Sequence, residues 1–89
     1  MWREVEIRNR DGIHARPAAE LVRCLRRHRA EATVGRVGEA RRYSVGSILE
    51  LLCANLRRGN RVRLEASGPE AEEALDELER LLAGPGPER

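Results

Sequence analysis

The chain has 89 residues, 40% of them hydrophobic and 36% charged. That describes one small globular domain with a modest core and no room for a deep cleft. Its 17 basic and 15 acidic side chains leave a net charge of +2, and only 2% of residues are aromatic; a nucleic-acid module would carry a more lopsided charge and more stacking rings.

No apolar run is long enough to span a bilayer, and Met1-Trp2-Arg3-Glu4-Val5 lacks the apolar stretch of a signal peptide. Membrane insertion is therefore not expected, and the chain reads as cytoplasmic. Cys24 and Cys53 lack metal-ligand spacing and fall in predicted helices, where free, buried or half-buried thiols are expected.

Residues 2–8 place Trp2, Val5 and Ile7 among charges, with Val5 and Ile7 alternating, which predicts a half-buried strand. Asn9-Arg10-Asp11-Gly12 is turn chemistry. Pro17 suits the first turn of a helix. Ala18, Leu21, Val22 and Leu25 give that helix one apolar face, and it is expected to run to about Arg29. Arg26, Arg27 and His28 fall in its last turn, where cations favour the negative end of the dipole; His28 is expected to have no chemistry.

A second strand is predicted from Glu31 to Val37, a turn at Gly38, and a third, weaker strand from Ala40 to Tyr43. Ser47-Ile48-Leu49-Glu50 has the form of a capping box. It opens a short helix to about Leu56, stopped by Arg58-Gly59-Asn60. Val62, Leu64 and Ala66 alternate with charges in a fourth strand. Gly68-Pro69 introduces a last helix with acids in its first turn and Ala71, Leu75, Leu78 and Leu82 on its buried face. Gly84-Pro85-Gly86-Pro87 is expected to stop it. Residues 1–84 then form the domain, and residues 85–89 a flexible tail. The order β-α-β-β-α-β-α predicts an α+β, open-faced two-layer sandwich: a four-stranded, mostly antiparallel sheet covered by three helices on one face.

The sharpest chemical signal is Gly12-Ile13-His14-Ala15-Arg16-Pro17-Ala18. A histidine stands just before a helix start, where free backbone N–H groups and the helix dipole favour an anion. Arg16 adds a forked set of donors suited to phosphate oxygens. A neutral imidazole is a nucleophile. These parts describe a shallow pocket for a phosphoryl group on an imidazole nitrogen. No second acid–base group, metal cluster or nucleotide loop accompanies them, so a self-contained enzyme is not expected, and neither a metal nor a cofactor.

This run resembles the active-site signature of HPr, the histidine phosphocarrier of the bacterial phosphotransferase system. Ser47-Ile48-Leu49-Glu50-Leu51-Leu52, the following Arg57-Arg58-Gly59, and the stretch from Ala66 to Leu75 are similar to segments of the same family. The resemblance implies that enzyme I, charged from phosphoenolpyruvate, phosphorylates Nδ1 of His14. The group would then pass to an EIIA protein of a sugar permease. Arg16 would contact the phosphoryl group, and the backbone around Ala15, Arg16 and Pro17 would cradle it. Ser47 matches a position that a serine kinase modifies in some branches of the family, although its capping role already explains it.

Ile48, Leu49 and Leu52 are more apolar than a helix with one buried face requires, so they are expected to be partly exposed as a docking patch. Arg23, Arg26 and Arg27 could ring it and steer acidic partners. A carrier that alternates between partners is expected to be monomeric. Asp11, Glu50 and Cys53-Ala54-Asn55 depart from the family pattern. They leave open a regulator, or a paralogue serving a nitrogen-regulatory or dihydroxyacetone-kinase phosphorelay.

Overall fold

The structure is a computed structural model that describes residues 1–83. The expected helix stop at Gly84-Pro85-Gly86-Pro87 and the tail at 85–89 lie outside the described residues. The elements are β1 (Trp2–Glu6), α1 (Ala15–Arg26), β2 (Glu31–Arg36), β3 (Tyr43–Ser44), α2 (Ile48–Ala54), β4 (Arg61–Ser67) and α3 (Ala71–Ala83). The strands form one sheet in the order β1-β4-β2-β3, and every neighbouring pair is antiparallel. The open-faced α+β sandwich is therefore present.

The period of two divides the sheet faces. Val5, Ile7, Ala32, Val34, Val62, Leu64 and Ala66 join one core with Ala18, Leu21, Val22 and Leu25 of α1, Leu51 and Ala54 of α2, and Ala71, Ala74, Leu75, Leu78 and Leu82 of α3. Arg3 shares the helix-covered face of β1 and bonds Asp76 and Glu79 of α3. On the opposite face Trp2, Glu65, Thr33 and Ser44 line up across all four strands. There the Arg63 guanidinium stacks 4.2 Å from the centre of the Trp2 ring, a cation–π contact.

Three of the boundaries differ from expectation for a local reason. Helix α1 stops at Arg26 because the amides of Arg27 and His28 take short-turn bonds to Cys24 and Leu25 carbonyls, both at 3.1 Å, the tightened last turn of many helices. The Arg29 amide is then captured by Oε1 of Glu70 at 2.8 Å. The third strand is displaced to Tyr43–Ser44. Its predicted residues cross over the sheet at Gly35, where an added Cβ would lie 2.4 Å from the Arg41 carbonyl oxygen.

Helix α2 ends at Ala54 and not near Leu56, because Asn55 takes the left-handed conformation at φ 53, ψ 45. Asparagine is among the few residues that adopt it readily. Arg36 reinforces that end by donating to the carbonyls of Ala54 at 2.9 Å and Asn55 at 2.7 Å. The capping box is half formed. Ser47 Oγ accepts from the Glu50 amide at 3.1 Å, but Oε1 of Glu50 accepts from the amide of Ser44, at 2.7 Å, in place of Ser47. The Ser47 amide already donates to the Ser44 carbonyl.

Candidate functional site

The loop that carries His14 is fixed from both sides. Gly12 adopts φ +72, and a Cβ there would lie 2.5 Å from the Leu56 carbonyl oxygen and 2.9 Å from Arg57 Cα. Only a glycine permits that approach. The same Leu56 carbonyl accepts from the Ile13 amide at 2.9 Å, and Ile13 is buried in the core. On the other side Asn9 donates from Nδ2 to the Leu81 carbonyl at 3.1 Å. The turn before His14 is thus clamped between the segment after α2 and the end of α3. Leu56, which follows the left-handed Asn55, is the part of this clamp that sequence reasoning missed; a long-range backbone contact leaves no residue pattern.

His14 is the N-cap of α1, with extended backbone (φ −117, ψ −160) and no capping bond from its side chain. Its carbonyl accepts from Ala18 at 2.9 Å, so the helix is already seated while the imidazole stays exposed. No protein group among the described residues accepts from the Ala15 or Arg16 amide. Pro17, at the third helical position, has no N–H to satisfy. The first turn holds no acidic side chain, so the positive end of the helix dipole is uncompensated.

Arg16 is exposed and makes no ion pair among the described residues. Arg57 and Arg58 are exposed on the segment packed against Gly12. Asp11 is also exposed. The arrangement offers an accessible imidazole, two unpaired amides and a free guanidinium at one helix end, which suits a phosphoryl group.

The remaining candidates stand apart from this cluster. Ser47 caps the opposite end of α2 from the segment that touches the His14 loop, about 10 Å along a seven-residue helix. On α2, Leu51 and Ala54 are buried, while Ile48, Leu49 and Leu52 are 42%, 72% and 41% exposed. Arg23, Arg26 and Arg27 are exposed toward the far end of α1. Arg27 is engaged there, with Nη2 3.1 Å from Oε2 of Glu77.

Two expectations need correction. Cys53 is exposed, not buried or half-buried, and both cysteines are free thiols. His28 is not an idle helix-end residue: its Nε2 contacts Oε1 of Glu77. Bonds from His28 and Arg27 hold the Glu77 carboxyl down to about 2, below the usual carboxylate range. Burial and the Glu77 charge push the nearby Cys24 thiol up to about 11. The Cys24 and His28 spacing of four residues was the available signal for this grouping; the third member, on α3, was not.

Comparison with known proteins fits this geometry. The family described as "PTS HPr component phosphorylation site" matches residues 1–84. The chain is 36% identical over 85 residues to the phosphocarrier protein HPr of Haloferax volcanii, covering 96% of each protein. It is 38% identical over 71 residues to the phosphocarrier protein NPr of Escherichia coli, covering 80% of this chain and 78% of that one. The crystal structure of HPr from Bacillus anthracis superposes with a TM-score of 0.83 at 26% identity, covering 92% of this chain and 95% of the other. A matching family signature, full-length relatives and a shared fold agree with one another: the chain belongs to the HPr family of phosphocarrier proteins.

Proposed function

We propose that this protein carries a phosphoryl group on Nδ1 of His14, receiving it from enzyme I and passing it to an EIIA protein. The observation that carries this reading is the exposed His14 imidazole at a helix start whose Ala15 and Arg16 amides have no protein acceptor among the described residues. The Nδ1 lone pair of His14 attacks phosphorus while the bond from phosphorus to the donor atom of enzyme I breaks and its electron pair returns to that donor; the charge that arrives is met by those amides, the dipole and the Arg16 guanidinium. The chain acts as a carrier and not as a self-contained enzyme; its partners supply the rest of each transfer site.

Ile48, Leu49 and Leu52 supply the apolar centre of the docking face, and Arg23, Arg26 and Arg27 supply charge for acidic partners. Ser47 is a secondary candidate for a regulatory serine kinase. The protein works as a monomer in the cytoplasm.

Intact-mass spectrometry after incubation with enzyme I and phosphoenolpyruvate tests the reading. One acid-labile phosphoryl group is expected on the wild type and none on His14→Ala. No gain, with the same enzyme I active on a control carrier, would overturn the sugar-carrier assignment. Offering the phosphorylated chain to EIIA proteins of sugar and nitrogen-regulatory systems would then show which branch it serves.

A further inference from the structure

A second cluster of reactive side chains lies on the seam between α1 and α3. Cys24 Sγ is 3.7 Å from Oε1 of Glu77. His28 Nε2 contacts that same oxygen. One donor atom from each of the three residues falls within 4.8 Å of both others. From this convergence we infer that Cys24, His28 and Glu77 form a binding site for a single zinc ion, completed by one water.

The donor set is one that zinc takes: a thiolate, an imidazole and a carboxylate, leaving a fourth position open. The spacing agrees as well. Ligands about 2.0–2.3 Å from a tetrahedral ion stand about 3.3–3.6 Å from one another. The sulfur-to-oxygen separation of 3.7 Å nearly matches that, and the closer His28–Glu77 contact needs only to open around the ion. Cys24 sits in the last turn of α1 and His28 four residues on, in the turn that closes it, while Glu77 comes from α3.

The surroundings hold these groups in place. Arg27 binds Oε2 of Glu77 at 3.1 Å, leaving Oε1 as the ligand oxygen and fixing the carboxylate plane. Oε1 of Glu70 stands 3.8 Å from Nδ1 of His28, on the side of the ring where a ligating histidine turns its other N–H toward a carboxylate. Cys24 is fully buried, whereas His28 and Glu77 are partly exposed. The ion would therefore enter from the Glu77 side, and the water would sit there.

On binding, the Cys24 S–H bond breaks, its proton passes to solvent, and the sulfur lone pair forms the zinc–sulfur bond. Affinity thus rises with pH. The site lies at the opposite end of α1 from His14, about 18 Å along a 12-residue helix. It ties that helix to α3, a structural role separate from phosphoryl transfer.

The test uses the full chain carrying Cys53→Ser, so that Cys24 is the only thiol, titrated with Co²⁺ and then Zn²⁺. The expected result is one cobalt per chain with a thiolate-to-cobalt charge-transfer band, displaced by one equivalent of zinc, and a melting temperature that rises with zinc concentration. His28→Gln and Glu77→Gln, on partly buried side chains, should each weaken binding at least tenfold while the circular dichroism spectrum stays native. Cys24→Ala should abolish the band. His14→Ala should keep it. No charge-transfer band in the folded protein would overturn the site. So would binding that survives the His28 and Glu77 substitutions and disappears with His14.

Discussion

Gly12 is the residue on which the geometry of the site turns. Its φ of +72 and the 2.5 Å approach of the Leu56 carbonyl oxygen to a built Cβ act together. Placing an alanine at positive φ costs about 1–2 kcal/mol, and forcing atoms into a packed contact costs about 1–3 kcal/mol more. Gly12→Ala is therefore expected to destabilise the fold by about 3 kcal/mol, lowering the melting temperature by more than about 10 °C in a domain this small. The local damage should exceed the global one. Lifting the loop off Leu56 breaks the hydrogen bond that the Ile13 amide donates to the Leu56 carbonyl and reorients His14, so phosphorylation should slow even at temperatures where the variant is folded. Thermal melts beside intact-mass kinetics would separate the two effects. Gly38, also at positive φ (+88) but with nothing within 4 Å of a built Cβ, is the control, since it carries the backbone strain without the clash.

Among the elements, α2 shows where local sequence signals decide a structure and where they do not. The Ser47 cap was legible because a hydroxyl three residues before Glu50 has a short-range partner, the Glu50 amide. The reach of Glu50 to Ser44 was not, because it depends on how β3 enters the helix. The early stop at Asn55 was hidden by Leu56, whose apolar side chain extends the helical pattern although its burial belongs to the loop under Gly12. Removing the cap by Ser47→Ala should cost about 1 kcal/mol. Ser47→Asp should retain stability, since a carboxylate also accepts the Glu50 amide and favours the positive helix end. Chemical denaturation of the two variants distinguishes the cap from any other role of this serine. A kinase-dependent phenotype that Ser47→Ala and Ser47→Asp resolve in opposite directions, under conditions where both variants are fully folded, would assign the residue to regulation.

For the whole molecule, the two-layer architecture was legible because both periods, two in the strands and 3.6 in the helices, mark one buried side each. The strand order β1-β4-β2-β3 was not, since it rests on pairing between segments as distant as Trp2 and Glu65. The His14 loop was legible because its donors are contiguous in the chain, whereas the Cys24, His28 and Glu77 cluster bridges two helices. The apolar patch on α2 lies between these cases. Its exposure followed from helical spacing, yet its use depends on a surface outside this chain. Leu49 and Leu52 stand on one helix face with Ile48, away from Leu51, which is fully buried. Replacing both Leu49 and Leu52 by glutamate should leave stability within about 0.5 kcal/mol per site, as for ordinary surface changes, while Leu51→Ala should cost about 2–5 kcal/mol. The charged pair is expected to slow phosphorylation by enzyme I at least tenfold at low carrier concentration. Raising that concentration should recover the rate, because docking and not chemistry has been weakened. Arg16→Ala should behave in the opposite way, lowering the saturated rate by removing a donor to the phosphoryl group. Rates measured across carrier concentrations read both effects. An unchanged low-concentration rate for the charged pair would remove α2 from the docking face and leave recognition to the rim of the His14 pocket.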